Sequence, residues 1–134
     1  MKEMKLSFMI KWYKAIASGK FIQSEYYLVD GKDRKKTHCC LGVACIVEAG
    51  AVRQSYRHHG GDTLSDSFRK RIGMTPVEER EFIWANSEDF DALRDEFKRD
   101  YAGPIELLAK KIEKAGGKVP NVRRKTSEVR KDEG

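Results

Sequence analysis

The sequence predicts one α+β domain, with a small antiparallel β-hairpin, a buried central helix and about five surrounding helices. Its 134 residues are the length of a single domain, and a 40% apolar composition is enough for one core. Residues 21–29 are rich in aromatic and β-branched side chains, which favours a strand. Residues 39–52 are apolar almost all round, which is typical of a helix buried on every side.

The first element is predicted to be a helix over about residues 4–18. Its apolar residues recur at intervals of three and four along one face, and Gly19 is suited to end it. Phe8 and Trp12 lie one turn apart beside that stripe, and we expect them to widen the apolar face.

The hairpin is predicted to follow this helix. Asp30 and Gly31 tolerate the positive φ of a turn, so the chain can reverse after the first strand. Residues 34–39 are then expected to return as the second, antiparallel strand. The loop between the strands, residues 32–36, is basic and expected to be exposed.

The middle of the chain is predicted to contain the end of the central helix, a loop and a short helix. Gly50 is expected to end the central helix, and residues 53–63 have no periodicity, which predicts a loop. Ser65 is placed to cap a short helix that Gly73 ends.

The next helix has a strong start signal. Thr75 stands at the N-cap, Pro76 at the first helical position and Glu78 three residues after the cap. We expect this helix to run to about Ala85. The side chains that we expect it to bury are Val77, Phe82, Ile83 and Trp84.

Two more helices and a tail complete the prediction. Asn86 and Ser87 are expected to cap a helix that ends at Tyr101, and Gly103 with Pro104 breaks the chain before a last amphipathic helix. The compact domain is predicted to span residues 1–117. The remaining residues, 118–134, are basic and have valines as their only large apolar side chains, so we expect a disordered tail.

Charge is distributed unevenly along the chain. Residues 20–71 carry ten basic and six acidic side chains, a net +4, whereas residues 72–117 carry seven basic and eleven acidic ones, a net −4. This division suggests an anionic partner for the first half, with an ordinary solvated surface as the alternative. No apolar run is long enough to span a membrane, and the charged N-terminal residues do not resemble a secretory signal.

The three cysteines are Cys39, Cys40 and Cys45. An odd number without a disulfide framework favours a reducing, cytoplasmic compartment, and their spacing is not that of a zinc site. Buried structural cysteines are the leading interpretation. Cys39 as a nucleophile at the start of a helix is an alternative, as is redox sensing. However, the last histidine is His59, in a predicted loop, and no third orienting residue is evident to complete a catalytic set.

One resemblance rests on the Cys-Cys-Leu-Gly-Val-Ala-Cys run from Cys39 to Cys45. Together with the Trp-containing helix before it and the Ser-Phe-Arg-Lys-Arg-Ile-Gly segment after it, this run resembles a family of small phage and prophage proteins. The likeness covers residues 6–115, with His38 in place of an aromatic residue and Ala44 in place of leucine. The resemblance implies an accessory phage protein that acts in the bacterial cytoplasm.

A second group of residues predicts a binding site for an anion. Arginine can bind phosphate with two parallel hydrogen bonds, and imidazole can donate to phosphate or stack on a base. The residues predicted to bind the ligand are Arg34, Lys36, His38, Arg53, Arg57, His58 and His59. The alternative is two unrelated solvated loops.

These observations favour a non-enzymatic phage accessory protein, of a counter-defence type, that binds an anionic nucleotide-type ligand and sequesters a host immune signal. One alternative is a nucleic-acid or host-protein binding module that uses the basic tail and residues 69–71; another is a cysteine hydrolase that uses Cys39. Nucleotide-binding loops and metalloprotease motifs are missing from the sequence, so no cofactor or metal is predicted. The sequence leaves open whether the chain forms a homo-oligomer.

Overall fold

The computed structural model describes residues 4–23, 38–50, 56–58, 61–88 and 101–122. Five helices hold most of these residues, and two three-residue strands lie between the second and third helices. The helices are α1 (Leu6–Ala17), α2 (Cys40–Ala49), α3 (Asp66–Ile72), α4 (Pro76–Glu88) and α5 (Ala102–Lys114). The strands are β1 (Tyr56–His58) and β2 (Gly61–Thr63).

The fold is helical, and the prediction of an α+β domain with a hairpin over residues 21–39 is wrong. Most of that segment lies outside the described residues. At its base, Gln23 and His38 form an isolated parallel bridge, whereas the predicted hairpin needs antiparallel pairing. Gln23 itself is buried, and its side chain is held by α4 and by the residue before α5.

The regular β structure of the described residues is the antiparallel pair β1–β2. It lies in the segment that the sequence predicted to be a loop. We call it the ribbon. With three residues in each strand, it is too short to form a sheet on which helices pack.

Helix α2 lies at the centre of the described helices. It packs against α1 and α4, and both of these pack against α5, so the four helices form a closed ring of contacts. The first six residues of α2 are all buried, which confirms the predicted buried helix. Phe8 and Trp12 of α1 are buried as well, which confirms the widened apolar face of that helix.

Local capping signals place both ends of α3 and the start of α4 as expected. Ser65 Oγ accepts a hydrogen bond from Phe68 N at 3.2 Å, and Gly73 ends α3 with a φ of 81°. Thr75 and Glu78 form a reciprocal cap at the start of α4: Glu78 N donates to Thr75 Oγ1, and Thr75 N donates to the Glu78 carboxylate.

Helix α4 departs from the prediction in its length and in its faces. It continues to Glu88, so Asn86 lies within it and is not the N-cap of a following helix. Val77 and Trp84, which were expected to be buried, are 59% and 72% exposed. The predicted helix after Asn86 falls largely on residues 89–100, which lie outside the described part.

Helix α5 begins earlier than predicted. Its first residue is Ala102, so Gly103 and Pro104 lie in its first turn, where the missing N–H of proline costs no hydrogen bond. Tyr101 precedes it as the N-cap, with a left-handed φ of 65° that is unusual for a residue other than glycine.

The chain after α5 contacts α1. A Cβ atom at Gly117 would lie 2.6 Å from Leu6 Cδ1, so the backbone there approaches α1 closely. Val119 and Val122 pack against the core, contrary to the expectation that nothing beyond Gly117 has a core to join. The rest of the predicted tail, residues 123–134, lies outside the described part.

Candidate functional site

The predicted anion site falls mostly outside the described residues. Arg34, Lys36, Arg53 and His59 are not among them. Arg57 and His58 lie next to each other on β1, and His38 precedes α2.

The ribbon places Arg57 directly opposite Asp62, and His58 opposite Gly61. Arg57 and His58 therefore share one short element.

His38 is attached to the other end of α2. The helix has ten residues and is about 15 Å long. His38 lies just before its first residue, and the ribbon follows its last residue along the chain. The ion pair between Arg71 of α3 and Glu48 of α2, at 2.9 Å, holds the last turn of α3 near this second end.

The start of α2 is held by a network of buried polar groups, which we call the α2-start cluster: Gln23, His38, Cys40, Asn86 and Tyr101. Asn86 Oδ1 accepts hydrogen bonds from Cys40 N at 3.0 Å and from Gln23 Nε2 at 3.2 Å. Gln23 Oε1 accepts from Tyr101 N at 2.7 Å, and the Tyr101 hydroxyl donates to the His38 carbonyl at 2.6 Å. The cluster joins four segments that are distant in the sequence.

The role of this cluster is structural. The first N–H groups of a helix have no partner within it, and Asn86 supplies one from α4 instead of from the residue before α2. His38 is buried, and its ring packs edge-on against Phe21 at 5.7 Å. The sequence offered a signal for Asn86, since asparagine is a good capping residue, but did not show which helix it caps.

The three cysteines are all buried, and none of them forms a disulfide. Burial, together with the neighbouring Cys39, raises the pKa of the Cys45 thiol to about 12. Only a thiolate is an effective nucleophile, so Cys45 is unreactive at neutral pH. Cys39 is the N-cap of α2, as expected, but only 5% of it is exposed. Within the described ranges, no group of three or more His, Cys, Asp or Glu side chains is arranged to hold a metal ion.

A second buried polar contact joins α3 to α4. The Glu79 carboxylate accepts a hydrogen bond from Leu64 N at 2.8 Å and pairs with Arg69 Nη1 at 2.9 Å. Arg69 also pairs with Asp66. An open cleft of about 300 Å³ lies beside this contact. Because the guanidinium is already held by two carboxylates, the cleft does not present a free arginine to an anion.

None of the described helices is long and apolar enough to cross a membrane. In comparisons with the models of known families, with curated proteins and with solved structures, nothing matches this chain.

Proposed function

We propose that this protein is a non-enzymatic binding protein whose ligand is an anionic, nucleotide-type molecule. The ligand site is the basic segment between α2 and α3, which contains the ribbon. The observation that supports it is that Arg57 and His58 both belong to β1, in the segment between α2 and α3. Arg53 and His59 belong to the same segment of the sequence and add a guanidinium and an imidazole.

The non-enzymatic part of the proposal is supported by the positions of the reactive side chains. The cysteines are buried, and the thiol of Cys45 has a raised pKa. Glu78 is held by the cap of α4, and Glu79 by Leu64 and Arg69. These groups are engaged in maintaining the fold, which leaves the described residues without an evident acid–base pair or nucleophile.

The biological setting is proposed from the resemblance of the Cys39–Cys45 run to small phage proteins. In this setting the protein acts in the cytoplasm of the host cell as a counter-defence factor. It holds a nucleotide-type signal of the host and thereby lowers the free concentration of that signal.

A nucleic-acid or host-protein binding module based on residues 69–71 has less support. Arg69 is paired with Glu79, and Arg71 with Glu48. Of the three basic side chains, only Lys70 has no ion-pair partner among the described residues. A phosphate backbone would have to displace two carboxylates before it could use this segment.

Calorimetric titration tests the proposal with a panel of cyclic dinucleotides and ADP-ribose derivatives. We expect one member to bind, and we expect Arg57→Ala and Arg53→Ala each to weaken it about tenfold or more, since charge-assisted hydrogen bonds contribute roughly 1.5–3 kcal/mol. Lys110→Ala is the matched control. It removes one positive charge from an exposed side chain of α5 that pairs only with Glu106 among the described residues.

If no member of the panel binds, the nucleotide-type ligand is excluded. If Lys110→Ala weakens binding as much as the arginine variants do, the effect is one of net charge rather than of a site. Cys39→Ala is expected to leave binding unchanged wherever the variant folds.

A further inference from the structure

The solvent-facing side of α4 has an unusual composition. Arg80, Glu81 and Trp84 follow Val77 by three, four and seven residues, so the four side chains share one face of the helix. All four are exposed. Val77 is 59% exposed and Trp84 72%, and they are two of the three large apolar residues that are exposed among the described ones. We call these four residues the α4 face.

Trp84 is the most exposed of these apolar residues. Tryptophan is rarely left in water without a function, and it is enriched where proteins bind one another. The apolar residues stand at the two ends of the α4 face, two turns apart, and the charged ones lie between them. A partner must therefore offer two apolar groups about 10 Å apart, with two charges between them.

The α4 face is complementary to itself. When two copies of the helix lie parallel, related by a two-fold axis along the helix direction, Val77 and Trp84 each lie opposite the same residue of the other copy. Arg80 and Glu81 lie on opposite flanks of the face, so Arg80 of each copy lies beside Glu81 of the other. This reciprocity is what a two-fold symmetric interface requires. An antiparallel arrangement would instead set Arg80 beside Arg80 and Glu81 beside Glu81, because each residue and its counterpart then lie on the same flank.

The two charged residues are available for this contact. Arg80 makes no ion pair with any described residue. Glu81 contacts Lys111 Nζ at 3.1 Å, but its side chain remains 46% exposed and a carboxylate can accept several hydrogen bonds. Across the interface, Arg80 and Glu81 would form two symmetric ion pairs.

We propose that the partner of the α4 face is a second copy of this chain, bound parallel through α4. The proposal does not depend on the identity of any ligand. One helix pair covers less surface than the ~1,600 Å² of a standard interface, so we expect a weak, reversible dimer.

The first test is sedimentation equilibrium of the full chain from about 1 to 500 μM. We expect a reversible monomer–dimer equilibrium and a shift of Trp84 fluorescence to shorter wavelength as the dimer forms. Trp12 is fully buried and should not contribute to this shift. Trp84→Ala should weaken dimerisation at least tenfold. A chain that stays monomeric up to the highest concentration contradicts the proposal.

The second test reverses the charges. Arg80→Glu alone sets glutamates against each other across the interface, and Glu81→Arg alone sets arginines against each other, so each variant should be monomeric. An equimolar mixture of the two should dimerise again, because each copy then offers the charge that the other lacks. Lys110→Glu, an exposed reversal on α5, is the control and should leave the dimer intact.

Circular dichroism of each variant confirms that it is folded before it is compared. If the two variants fail to associate when mixed, or if either one alone dimerises as the unmodified chain does, the parallel α4 interface is wrong.

Discussion

At the ends of α4, the two faces of the helix reverse the usual distribution of polar and apolar residues. The buried face has a carboxylate near one end, Glu79, and an amide near the other, Asn86, with Phe82 between them. The exposed face has Val77 near one end and Trp84 near the other. In most surface helices the polar residues face the solvent and the apolar ones face the core.

The difference between the two faces shows that α4 acts as a connector as well as a packing surface. Each buried polar side chain of α4 completes the start of another element: Glu79 accepts the N–H of Leu64 just before α3, and Asn86 accepts the first N–H of α2. Burial of a polar group is tolerated when its hydrogen bonds are made, and each of these contacts also fixes the position of a neighbouring helix.

Among the substitutions on α4, the largest effect is expected at Asn86. Asn86→Ala removes the acceptor shared by Cys40 N and Gln23 Nε2, and we expect the free energy of unfolding to fall by about 3 kcal/mol or more. Urea denaturation measures this loss. In a double-mutant cycle with Gln23→Ala, the two residues should show a coupling of about 1 kcal/mol. Additive losses would mean that the two side chains do not act as one network.

The sequence predicted the start of α4 but not its two faces. Thr75 and Glu78 act through the local backbone, so their pattern is readable along the chain. The partner of Asn86 lies 46 residues away, at Cys40, and no local pattern reports it. The same limit explains the error at Gln23, whose polar contacts to Asn86 and Tyr101 are equally distant in the sequence.

For the candidate anion site, composition could predict a basic segment but not a geometry. Of its seven residues, the structure describes the surroundings of His38 alone, and these are the aromatic and backbone groups of the α2-start cluster. The net charge of a segment does not show whether a basic side chain faces solvent or is already paired with a carboxylate. Arg69 and Arg71 illustrate the second case.

The next effect in size is expected at Glu79. Glu79→Gln keeps the shape of the side chain but removes its charge, so the contacts to Leu64 N and Arg69 can no longer both be satisfied as before. We expect a loss of about 1–3 kcal/mol in the free energy of unfolding. Glu81→Gln, on the exposed face, is the matched control and should change stability by less than about 0.5 kcal/mol. Equal losses would show that the two faces do not differ.

The raised pKa of Cys45 predicts how the free energy of unfolding changes at alkaline pH. Its pKa is about 12 in the folded protein against an ordinary 9.0, so the unfolded chain loses the thiol proton first. The contribution of this group to stability is therefore complete below pH 9 and is lost as the pH rises from 9 towards 12, by up to about 1.4 kcal/mol per pH unit. Urea denaturation between pH 8 and 10.5 should show a shallower decline for Cys45→Ala. Parallel declines would mean that the thiol is not protected in the fold.

The smallest effect is expected at Trp84, although tryptophan is the largest side chain. At concentrations of about 1 μM or below, where the proposed dimer is dissociated, Trp84→Ala should change the free energy of unfolding by less than about 0.5 kcal/mol, because the side chain is mostly exposed. Trp12→Ala is the contrasting variant: Trp12 is fully buried and donates to the Cys40 carbonyl at 2.8 Å, so its loss should cost roughly 3–5 kcal/mol.

Trp84→Ala also tests whether this exposed tryptophan lies in an interface between two copies. A ligand or partner that binds only the folded state stabilises it by mass action, so the unmodified chain should melt at a higher temperature at 500 μM than at 1 μM. Trp84→Ala should lose this dependence on concentration and keep the melting temperature of the dilute protein. A large loss of stability in the dilute Trp84→Ala variant would place the side chain in the monomer core, and the two faces of α4 would then not be reversed.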